Sequence, residues 1–558
     1  MTEQPTSIEL DPTDPYNRRA QTFPQLSHEM KSRVAAFGSV EDLEEGTYVF
    51  RRGDRGVDFF VVIEGSIEIL ATGDECEAIV IHTHGPRQFT GELDLFNDRQ
   101  VLVSGRAGPA TRVIRIKRPD FRRMVTAEPE IAEIIMRAFI LRRVGLIRYS
   151  RGGVTVVGSG HSADTLRIER FLMRNGYPHR LLDTDREEDA QSFLDCFELT
   201  AAELPVVVTP DHTVFRNPDN AELADALGLT ETIDSSTTYD LAVVGAGPAG
   251  LAAAVYGASE GLSTIVIEAM APGGQAGTSS KIENYLGFPT GISGQALAGR
   301  AQVQAQKFGA RLAISRPAVA IRKNGGSYHV TMEGGVAVSS RAVVIATGAR
   351  YRKLDVANYE KFEGQGIHYA ATAMEASLCS NEEICIVGGG NSAGQAAIFL
   401  SRHARHVYML VRSNGLAASM SDYLIQRIDA SPRITLICET EITALEGEHI
   451  LEHVTWTNRA KGDSETRRIG NVFVMIGAQP NTDWLEGCVN LDAKGFVLTG
   501  VDAAEEKRLG VMSPYCTSQA GIFAVGDVRA GSVKRVASGV GEGSVVVQAI
   551  HRYLNPPA

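Results

Sequence analysis

The sequence is poor in cysteine, tryptophan and long apolar runs. Seven cysteines are scattered over 558 residues without a Cys-x-x-Cys spacing, an odd number that argues against structural disulfides. No run approaches the roughly 18 apolar residues that a membrane-spanning helix needs. The first thirty residues are polar, acidic and proline-bearing where a signal peptide is apolar. We therefore expect a cytoplasmic protein without a membrane partner.

An excess of positive charge is also lacking. The chain has 55 lysines and arginines against 67 aspartates and glutamates, a formal net charge of −12. This field repels phosphate backbones, so we expect no nucleic-acid partner. Glycine is abundant, with 56 residues in a chain that is 44% hydrophobic and 22% charged. The composition is typical of a folded α/β protein with tight phosphate-binding turns, and the length predicts about three to five domains.

Two small modules are predicted before residue 231. Residues 1–22 are rich in proline and acids without a hydrophobic period, which is typical of a flexible arm. Residues 23–150 contain short β-type runs and then an amphipathic helix, Pro129–Val144, which predicts a small β-barrel with a closing helix. The β-type runs are Tyr48–Phe50, Phe59–Ile63, Ile67–Leu70, Ala78–His82 and Arg112–Ile116.

Residues 151–230 follow a βαβαββα order, which predicts a thioredoxin-like layer. The predicted strands and helices are Val154–Val157, Ala163–Asn175, His179–Asp183, an intervening helix, Leu204–Val208, Thr213–Phe215 and Ala221–Leu227. A polar Thr/Ser stretch at residues 231–238 is predicted to be a linker. A βαβ pattern follows in the remaining chain.

A strand ending in a glycine loop opens this second part. The strand Asp240–Val244 runs into a G-x-G-x-x-G loop and a helix of small residues. The loop residues are Gly245, Ala246, Gly247, Pro248, Ala249 and Gly250. Its glycines permit the turn and close packing, so a pyrophosphate can lie on the helix N-terminus. Glu268 ends the next strand, 23 residues beyond Gly245, where a carboxylate accepts hydrogen bonds from an adenosine ribose. Together these parts predict a dinucleotide site.

The same pattern recurs between the strands Ile384–Val387 and His406–Val411. Its loop and helix start contain Gly388, Gly390, Asn391, Ser392 and Ala393. The residue 24 positions beyond the first glycine is Arg412 instead of an acid. A guanidinium there can pair with the 2′-phosphate of NADPH, which favours NADPH over NADH. A solvated surface arginine is the alternative.

Over residues 239–556 the sequence resembles the low-molecular-weight thioredoxin reductase family. The resemblance is carried, in order, by Gly273–Gln275, Ile282–Phe288, Ala346–Ala349, Gly521–Asp527 and Lys534–Ala537. It implies an FAD-binding domain formed by residues 239–355 and 508–558, with an NAD(P)H-binding domain, residues 356–507, inserted between them. It also implies FAD and NADPH as cofactors and a homodimer.

The resemblance assigns a role to individual residues. Gln275 with Gly274, and Asn284, would contact the flavin region, and Asp527 after Gly526 the ribityl chain or phosphate. The segment Ala346, Thr347 and Gly348 resembles a further flavin contact, and Arg535, Val536 and Ala537 would meet the isoalloxazine edge. Apart from the resemblance, the carboxylate of Asp527 can accept hydrogen bonds from ribityl hydroxyls. No metal site is predicted, and no side chain is assigned a catalytic role.

The redox centre is where the sequence departs from that family. The family's Cys-Ala-x-Cys-Asp falls on Ala370–Met374, so both thiols and the acid are replaced. Alanine forms no thiolate that could attack a disulfide or store electrons. The family's paired arginines become Arg412 and Ser413, and a third becomes Ala417. The familiar route of electrons to thioredoxin is therefore not expected.

The two front modules also resemble known domains. The barrel resembles a cyclic-nucleotide-binding domain through Gly65 and Gly91–Leu93, in which Glu92 can take a ribose hydroxyl. In that family an arginine of the phosphate-binding segment pairs with the cyclic phosphate. Its position falls on Val101 or Leu102 here, and Arg99 or Arg106 would replace it only by a register shift. Intact cyclic-nucleotide binding and a degenerate packing or dimerisation domain both stay open.

Residues 151–230 resemble a thioredoxin or glutaredoxin fold, with Pro205 at the place of its cis-proline and Ser162–Thr165 at the place of its thiols. The fold class is thus α/β, with two Rossmann-like three-layer domains, for FAD and NADPH, preceded by the thioredoxin-like α/β domain and the cyclic-nucleotide-binding-like β-barrel.

Three functions are compatible with these features. The first is an FAD-dependent NAD(P)H oxidoreductase that passes a hydride from NADPH to FAD and on to an unidentified acceptor, a redox protein or small molecule, without an internal disulfide. The second is a regulatory or sensor flavoprotein with little turnover. The third is a thioredoxin-disulfide reductase that uses non-standard cysteines such as Cys379 and Cys385, although Cys385 lies in an apolar run typical of a buried inert thiol.

Overall fold

The computed structural model forms two compact units, which we describe one at a time. The first comprises Met1–Ser159 and Ile168–Glu231, and the second Gly160–Arg167 and Thr232–Ala558. The structure describes residues 15–72, 78–91, 93–96, 100–149, 153–186, 194, 199–209, 213–231, 233–279, 282, 284–363, 365–369, 371, 373–448, 450–485, 487–503 and 513–556. Within these ranges no helix combines the length and hydropathy needed to cross a membrane.

A β-barrel and an α/β layer make up the elements that precede residue 232. In chain order they are a 3-10 turn (Pro15–Arg18), α1 (Arg19–Thr22), α2 (His28–Ala35), β1 (Ser39–Leu43), β2 (Tyr48–Phe50), β3 (Phe59–Glu64), β4 (Ile67–Thr72), β5 (Ala78–His84), a 3-10 turn (Leu93–Phe96), β6 (Ser104–Ala107), β7 (Thr111–Ile116), α3 (Arg118–Ala127), α4 (Pro129–Arg148), β8 (Val154–Gly158), α5 (Ala163–Arg174), β9 (His179–Asp183), a 3-10 turn (Ala201–Glu203), β10 (Val206–Val208), β11 (Val214–Arg216) and α6 (Asn220–Ala226).

The barrel consists of two sheets with the strand orders β1-β7-β3 and β2-β6-β4-β5. All five strands predicted there are present, and α4 contains the predicted closing helix. Strands β1 and β6 were not predicted, because Ser39–Leu43 and Ser104–Ala107 are polar or glycine-bearing and carry little apolar alternation.

Residues 15–22, part of the segment predicted to be a flexible arm, are helical. Pro15–Thr22 forms two helical turns, and the Thr22 side chain is fully buried. Tyr16 packs on Gly145 of α4, where an added Cβ would lie 2.8 Å from its ring. The prediction was wrong for residues 15–22, because a short polar segment without a hydrophobic period is held here by tertiary packing. The preceding residues of the predicted arm lie outside the described ones.

The α/β layer has the strand order β11-β10-β8-β9. Strands β8 and β9 are parallel, as a helical crossover through α5 requires, while β10 and β11 are antiparallel neighbours. The predicted strands and the helices α5 and α6 are present within a residue or two, and the Leu204–Pro205 peptide bond is cis. The predicted helix between β9 and β10 falls largely outside the described residues.

The second unit contains two larger α/β layers. In chain order its elements are β12 (Thr238–Val244), α7 (Pro248–Ser259), β13 (Thr264–Glu268), a 3-10 turn (Ala276–Thr278), α8 (Gly294–Lys307), β14 (Arg311–Ile314), β15 (Ala318–Asn324), β16 (Ser327–Met332), a 3-10 turn (Glu333–Gly335), β17 (Ala337–Ile345), β18 (Ala349–Tyr351), α9 (Tyr359–Phe362), β19 (Ile367–His368), α10 (Ala373–Leu378), β20 (Glu383–Val387), α11 (Asn391–Leu400), β21 (His406–Leu410), α12 (Asp422–Asp429), β22 (Ile434–Ile437), β23 (Thr440–Glu446), β24 (His453–Asn458), β25 (Ser464–Arg468), β26 (Val472–Val474), β27 (Ala478–Pro480), 3-10 turns (Asp483–Leu485 and Gly500–Asp502), β28 (Ile522–Ala524), a 3-10 turn (Gly526–Val528) and α13 (Val536–Leu554).

The first layer is built on the sheet β14-β13-β12-β17-β16-β15, with β28 parallel to β17. Because β12 is buried along most of its length, its side chains enter two cores. Leu241 and Val243 pack with α7 and α13, whereas Ala242 and Val244 pack with the β15–β16 face. The predicted α/β fold with a Rossmann-like domain is confirmed, and β28 of the C-terminal segment lies in this sheet.

The second layer is built on the parallel sheet β19-β26-β20-β21-β22. One face packs against α11 and α12, and the other against the antiparallel sheet β23-β24-β25. Strands β20 and β21 are central and parallel, as the second βαβ pattern predicted. A short pairing of β18 with β27 forms a two-stranded ribbon.

One predicted boundary differs from the structure. The chain was expected to return to the first layer at residue 508, but Leu485, Val489 and Val497 are buried in that layer's core together with Tyr239. The Val497 N–H also donates to Val528 O at 2.9 Å. The return therefore precedes residue 485. Its residues have no motif of their own, so only tertiary packing shows where they belong. The strand β12 likewise begins at Thr238, the last residue of the predicted linker.

Candidate functional site

The first glycine loop lies where β12 ends and α7 begins. Gly245 has a φ of +105°, and an added Cβ would lie 2.3 Å from Ala346 O. A Cβ on Gly250 would lie 1.9 Å from Gly245 O, so helix and loop touch through their main chains. Gly247 caps α7, and no atom lies within 4 Å of a Cβ built there. The loop is thus tight below and open above the helix N-terminus, as a pyrophosphate cradle requires.

Glu268 holds this loop in place from the end of β13. Its Oε2 accepts the Ala246 N–H at 2.7 Å, and its Oε1 accepts the N–H groups of Met270 at 3.0 Å and Ala271 at 3.3 Å. The residue is 9% exposed. Because each carboxylate oxygen has more than one acceptor site, the side chain can organise the loop and still accept a ribose hydroxyl.

The segment after β13 flanks the same loop. The Gly273 N–H donates to Ala246 O at 2.7 Å, and a Cβ on Gly274 would lie 3.1 Å from the Cα of Gly247. The Gln275 side-chain amide donates to Ala349 O, which joins this segment to the start of β18. Gly274 therefore adjoins the loop, and the predicted flavin contacts of Gly274 and Gln275 stay a prediction. Asn284, predicted to join them, is exposed, and its neighbour at 283 lies outside the described residues.

The end of β17 closes the other side of the loop. The Ala346 N–H donates to Val244 O at 2.7 Å. Thr347 donates its hydroxyl to Asn481 O at 2.8 Å, and Gly348 has a φ of +64°. These three residues turn the chain at the carboxyl edge of the sheet, beside the glycine loop.

A second helix N-terminus reaches this edge from the C-terminal segment. Gly543 of α13 packs on α7 so closely that a Cβ would lie 2.1 Å from Ala249 O. A Cβ on Gly526 would likewise lie 2.8 Å from the Ala249 side chain. Arg535 caps α13, and Val536 and Ala537 form its first turn. The contacts of Gly526 and Gly543 therefore place the C-terminal segment against the start of α7.

An ion pair behind this site was not predicted. Glu542 of α13 receives a bidentate contact from Arg529, with Nε–Oε2 at 3.1 Å and Nη2–Oε1 at 3.0 Å. The same Oε2 accepts the Gly526 N–H at 2.6 Å, and Arg529 also donates to the Thr499 hydroxyl at 2.7 Å. Both side chains are largely buried, at 15% and 12% exposure. An acid in a glycine-rich helix is the only sequence signal for this pair.

Asp527 lies directly beside that network. Burial raises the pKa of its carboxyl above the usual value, Lys534 counteracts the shift, and Glu542 adds to it. Lys534 also donates its Nζ to the Asp527 main-chain oxygen at 3.1 Å. A desolvated carboxylate of this kind is stabilised by hydroxyl donors, which is the chemistry of a polyol chain.

The second glycine loop repeats the geometry of the first. Gly388 has a φ of +140°, and a Cβ there would lie 2.3 Å from Met475 O. Gly390 caps α11, and a Cβ on it would approach only Ser419 O, at 4.0 Å. Ala393, in the first turn of α11, is fully buried. This helix N-terminus is therefore also open toward a ligand.

The surroundings of this second loop are polar and exposed. The Asn391 side chain accepts the Ser421 N–H at 2.7 Å, and the Ser419 hydroxyl donates to Gly389 O at 2.8 Å. Ser392 and Arg412 are exposed, and among the described residues Arg412 makes no ion pair. The Glu439 N–H donates to Ser413 O at 3.0 Å. An acidic residue that is distant in sequence therefore lies beside the segment that follows Arg412.

Two known protein families match parts of this chain. The pyridine nucleotide-disulphide oxidoreductase family matches residues 239–543. The chain belongs to this family. A cyclic nucleotide-binding domain matches residues 40–128.

The oxidoreductase is similar to several thioredoxin reductases. That of Treponema pallidum (strain Nichols) is 34% identical over 319 residues, which cover 57% of this chain and 98% of that protein. That of Bacillus subtilis (strain 168) is 31% identical over 317 residues, or 57% and 95% of the two chains. The crystal structure of the Lactococcus lactis thioredoxin reductase in the FR conformation has a TM-score of 0.52 at 27% identity, and covers 57% of this chain and 99% of that one. The thioredoxin reductase family uses FAD and NADPH, and this chain is an FAD-dependent NAD(P)H oxidoreductase.

Five cysteines lie among the described residues, of which Cys379 and Cys385 are buried and Cys438, Cys488 and Cys516 are partly exposed. Cys379 and Cys385 are fully buried, and they lie in the two different cores on opposite faces of the sheet that contains β20. Burial raises the pKa of the Cys379 thiol to about 12 and raises that of Cys385 further. Of the segment at the family's redox position, Ala371 is buried and Ala373 begins α10, while Ala370 and Thr372 lie outside the described residues.

The predicted cyclic-nucleotide cassette is described only in part. Glu92 and Arg99 lie outside the described residues. Val101 and Leu102 are buried core residues, as their side chains indicate. Arg106 pairs with Glu68 on the neighbouring strand, with Nη2–Oε2 at 2.7 Å. This ion pair holds the Arg106 side chain against the neighbouring strand β4.

Proposed function

We propose that this oxidoreductase transfers electrons from NADPH, through bound FAD, to an acceptor that it does not reach by an internal redox disulfide. The observation that carries the proposal is the combination of two open helix N-termini, at Gly247 and Gly390, with a sequence that has no Cys-x-x-Cys pair. Open space above each capping glycine fits a pyrophosphate at each site.

The first loop is the proposed FAD site. Gly245, Gly247 and Gly250 would hold the pyrophosphate on α7, and Glu268 would accept the adenosine ribose. The residues at the carboxyl edge would line the flavin side, with Asp527 accepting ribityl hydroxyls and the α13 N-terminus, at Val536 and Ala537, facing the ring. Its positive helix dipole would stabilise negative charge at that edge.

The second loop is the proposed NADPH site. Gly388, Gly390 and the first turn of α11 would bind the pyrophosphate. Exposed Arg412 is available to pair with a 2′-phosphate, since it makes no ion pair among the described residues. Glu439, near Ser413 in space, would disfavour that phosphate if its carboxylate turned toward it.

FAD and NADPH supply the redox chemistry when bound, by hydride transfer from the nicotinamide to the flavin. The chain's own residues bind, orient and exclude water. The Arg529–Glu542 pair would fix the Gly526 turn and thereby the direction of Asp527. Cys379 and Cys385 do not support a dithiol relay, because a buried thiol with a raised pKa is a poor nucleophile.

Several features of the chain complete the proposal. We infer that residues 151–230 are a thioredoxin-like domain without thiols, and that the protein is a cytoplasmic homodimer. The acceptor would be a redox protein or a small molecule that docks where the family's disulfide lies.

An acceptor panel tests the proposed function. Anaerobic protein with NADPH should reduce ferricyanide readily, yet reduce thioredoxin and an aromatic disulfide no faster than free reduced flavin does. Thioredoxin reduction at an enzymatic rate, lost in Cys379→Ala or Cys385→Ala, would overturn it and support the reductase with non-standard cysteines.

The regulatory flavoprotein is a second candidate, because a barrel of the cyclic nucleotide-binding type precedes the redox layers in the same chain. It predicts flavin reduction by NADPH with slow turnover toward every acceptor. Ferricyanide turnover by the purified protein separates the two functions.

A further inference from the structure

A cavity of about 50 Å³ lies inside the β-barrel of the first unit. Most of its wall is apolar, and Phe50, Ile69 and Val101 are each at most 7% exposed. Apolar concave surface with a few polar groups is the usual composition of a small-molecule site. The polar groups therefore decide what such a site accepts.

Two histidines of β5 supply neutral polar atoms to this cavity. The rings of His82 and His84 are 4.7 Å apart between centroids, and His84 is 1% exposed. Within the described part of the chain, His82 Nε2 and His84 Nδ1 are buried without a hydrogen-bond partner. Burial, with Arg142 nearby, lowers the pKa of His82 to about 4 and that of His84 well below its usual value. Both rings are uncharged at neutral pH, and an unpaired buried nitrogen is costly.

An aromatic ring of the chain already occupies part of the space. Phe23 stacks on His82 with centroids 3.5 Å apart and an interplanar angle of 16°. The segment that carries this ring is held by main-chain acceptors: Thr22 O receives Arg142 Nε at 2.9 Å, and Phe23 O receives Gln88 Nε2 at 2.8 Å. The Phe23 ring therefore fills part of the cavity from the residue that directly follows α1.

Asp58 and Arg142 are the Asp and Arg side chains of the described wall, and each makes hydrogen bonds within the first unit. Asp58 accepts Arg115 Nε at 2.7 Å and the Arg118 N–H at 3.2 Å. Arg142 donates its Nη1 to Gly91 O at 2.9 Å besides its bond to Thr22. An entering phosphate would face the Asp58 carboxylate as well as the Arg142 guanidinium, so the opposite charges of the wall favour an uncharged ligand.

We propose that the barrel cavity binds a small, uncharged, planar aromatic molecule with a hydroxyl group, which enters by displacing the Phe23 ring. An apolar cavity of about 150 Å³ holds one benzene ring, so the space beside Phe23 admits a ring only when Phe23 leaves. The ligand ring then stacks on His82, and its hydroxyl, both donor and acceptor, pairs with an imidazole nitrogen in either tautomer. A barrel of the cyclic nucleotide-binding type thus takes a different class of ligand.

Calorimetric titration of the full-length protein tests this site. The probes are phenol, toluene, benzoate and cyclic AMP, and the proteins are wild type, Phe23→Ala and Gln21→Ala. Phenol should bind one site and bind about tenfold more tightly to Phe23→Ala, since one stacked contact no longer has to be displaced. Gln21→Ala is the matched control, because Gln21 is exposed and adjoins the same segment without lining the cavity. Phenol should bind more tightly than toluene, and His84→Phe should reduce that difference.

A Phe23→Trp variant gives a second readout that keeps a ring in place. Both native tryptophans, Trp456 and Trp484, belong to the second unit, so the new emission would report the barrel. Phenol should shift this emission to longer wavelength as the ring leaves the cavity. Equal phenol affinity in wild type and Phe23→Ala, or binding of cyclic AMP but not phenol, would overturn the proposal. So would an unchanged indole emission of the Phe23→Trp variant at saturating phenol.

Discussion

The two glycine loops share one sequence pattern, but they lie in different surroundings. At the first loop, buried Glu268 accepts three N–H groups, and Gly543 of α13 packs main chain to main chain against α7. At the second loop, Ser392 and Arg412 are exposed, and the contacts come from Ser419 and Ser421. The pattern indicates what kind of ligand each loop binds, whereas the enclosing elements decide how firmly it is retained.

The difference matches the roles that we propose. A resident FAD needs an enclosed site that it rarely leaves, and a coenzyme that exchanges at each turnover needs an open one. Enclosure at the first loop comes from residues more than 250 positions away in sequence, such as Gly526 and Glu542. Mutations around the first loop should therefore affect retention and stability, and mutations around the second should affect coenzyme choice.

The largest expected effect is at the enclosed loop. Glu268→Ala should weaken FAD binding by at least about 100-fold, because charge-assisted hydrogen bonds of about 1.5–3 kcal/mol each are lost. Flavin content after purification and the FAD dissociation constant measure the effect. Glu333→Ala removes an exposed acid from the same layer and should retain flavin. A folded Glu268→Ala protein with full flavin occupancy would show that Glu268 is not needed to retain FAD.

The pair behind the enclosed loop should come next. Glu542→Ala should lower the free energy of unfolding by about 2–3 kcal/mol, because it leaves Arg529 largely buried without its carboxylate. Urea denaturation measures the loss. Glu260→Ala is the matched control, because Glu260 pairs at a more exposed position with His551 of α13, the helix that also contains Glu542. This variant should lose less than about 1 kcal/mol of unfolding free energy. Equal losses would show that burial of the pair is not what matters.

At the open loop the expected change is in selectivity. Arg412→Ala should weaken NADPH binding by about 1.5–3 kcal/mol, the range of a charge-assisted contact, and leave NADH nearly unchanged. Anaerobic binding titrations with both coenzymes measure the ratio. Arg402→Ala, an exposed arginine of the same layer, should leave both affinities unaltered. Equal losses for the two coenzymes would show that Arg412 does not contact the 2′-phosphate.

The smallest expected effect concerns the thiols of the second layer. Because the pKa of Cys379 is raised to about 12, only about one thiol in ten thousand is ionised at pH 8. Native alkylation of Cys379 should therefore be slow, and its rate should rise as the pH rises toward that pKa. Mass spectrometry of iodoacetamide-treated protein, native and in urea, measures this. Rapid native labelling at pH 8 would support a role for this thiol.

Much of this arrangement could be predicted from the sequence, because both loops are local patterns. Strand, glycine turn and helix are adjacent in sequence, and Gly245, Gly250 and Gly388 have the close main-chain contacts that the pattern implies. The enclosing elements were predicted less well. Leu485–Val497 and the pair Arg529–Glu542 join the first layer through contacts distant in sequence, and no short pattern encodes such contacts.

Wrong predictions have the same origin. Residues 15–22 have the composition of a flexible arm, but Tyr16 packs on Gly145 and Thr22 O accepts a bond from Arg142, both on α4. Neither contact has a sequence signal, since the partners are more than 100 residues apart. The residue roles and the acceptor stay predictions for the same reason, as they depend on groups that meet only in space.

Our central proposal is that electrons pass from NADPH through FAD to an acceptor without an internal dithiol. Anaerobic reductive titration of the FAD-loaded protein with dithionite, followed by flavin absorbance, tests it most directly. We expect full reduction at two electrons per FAD. A requirement for four electrons, with the second pair lost in Cys379→Ala or Cys385→Ala, would reveal a redox-active cysteine pair and contradict it.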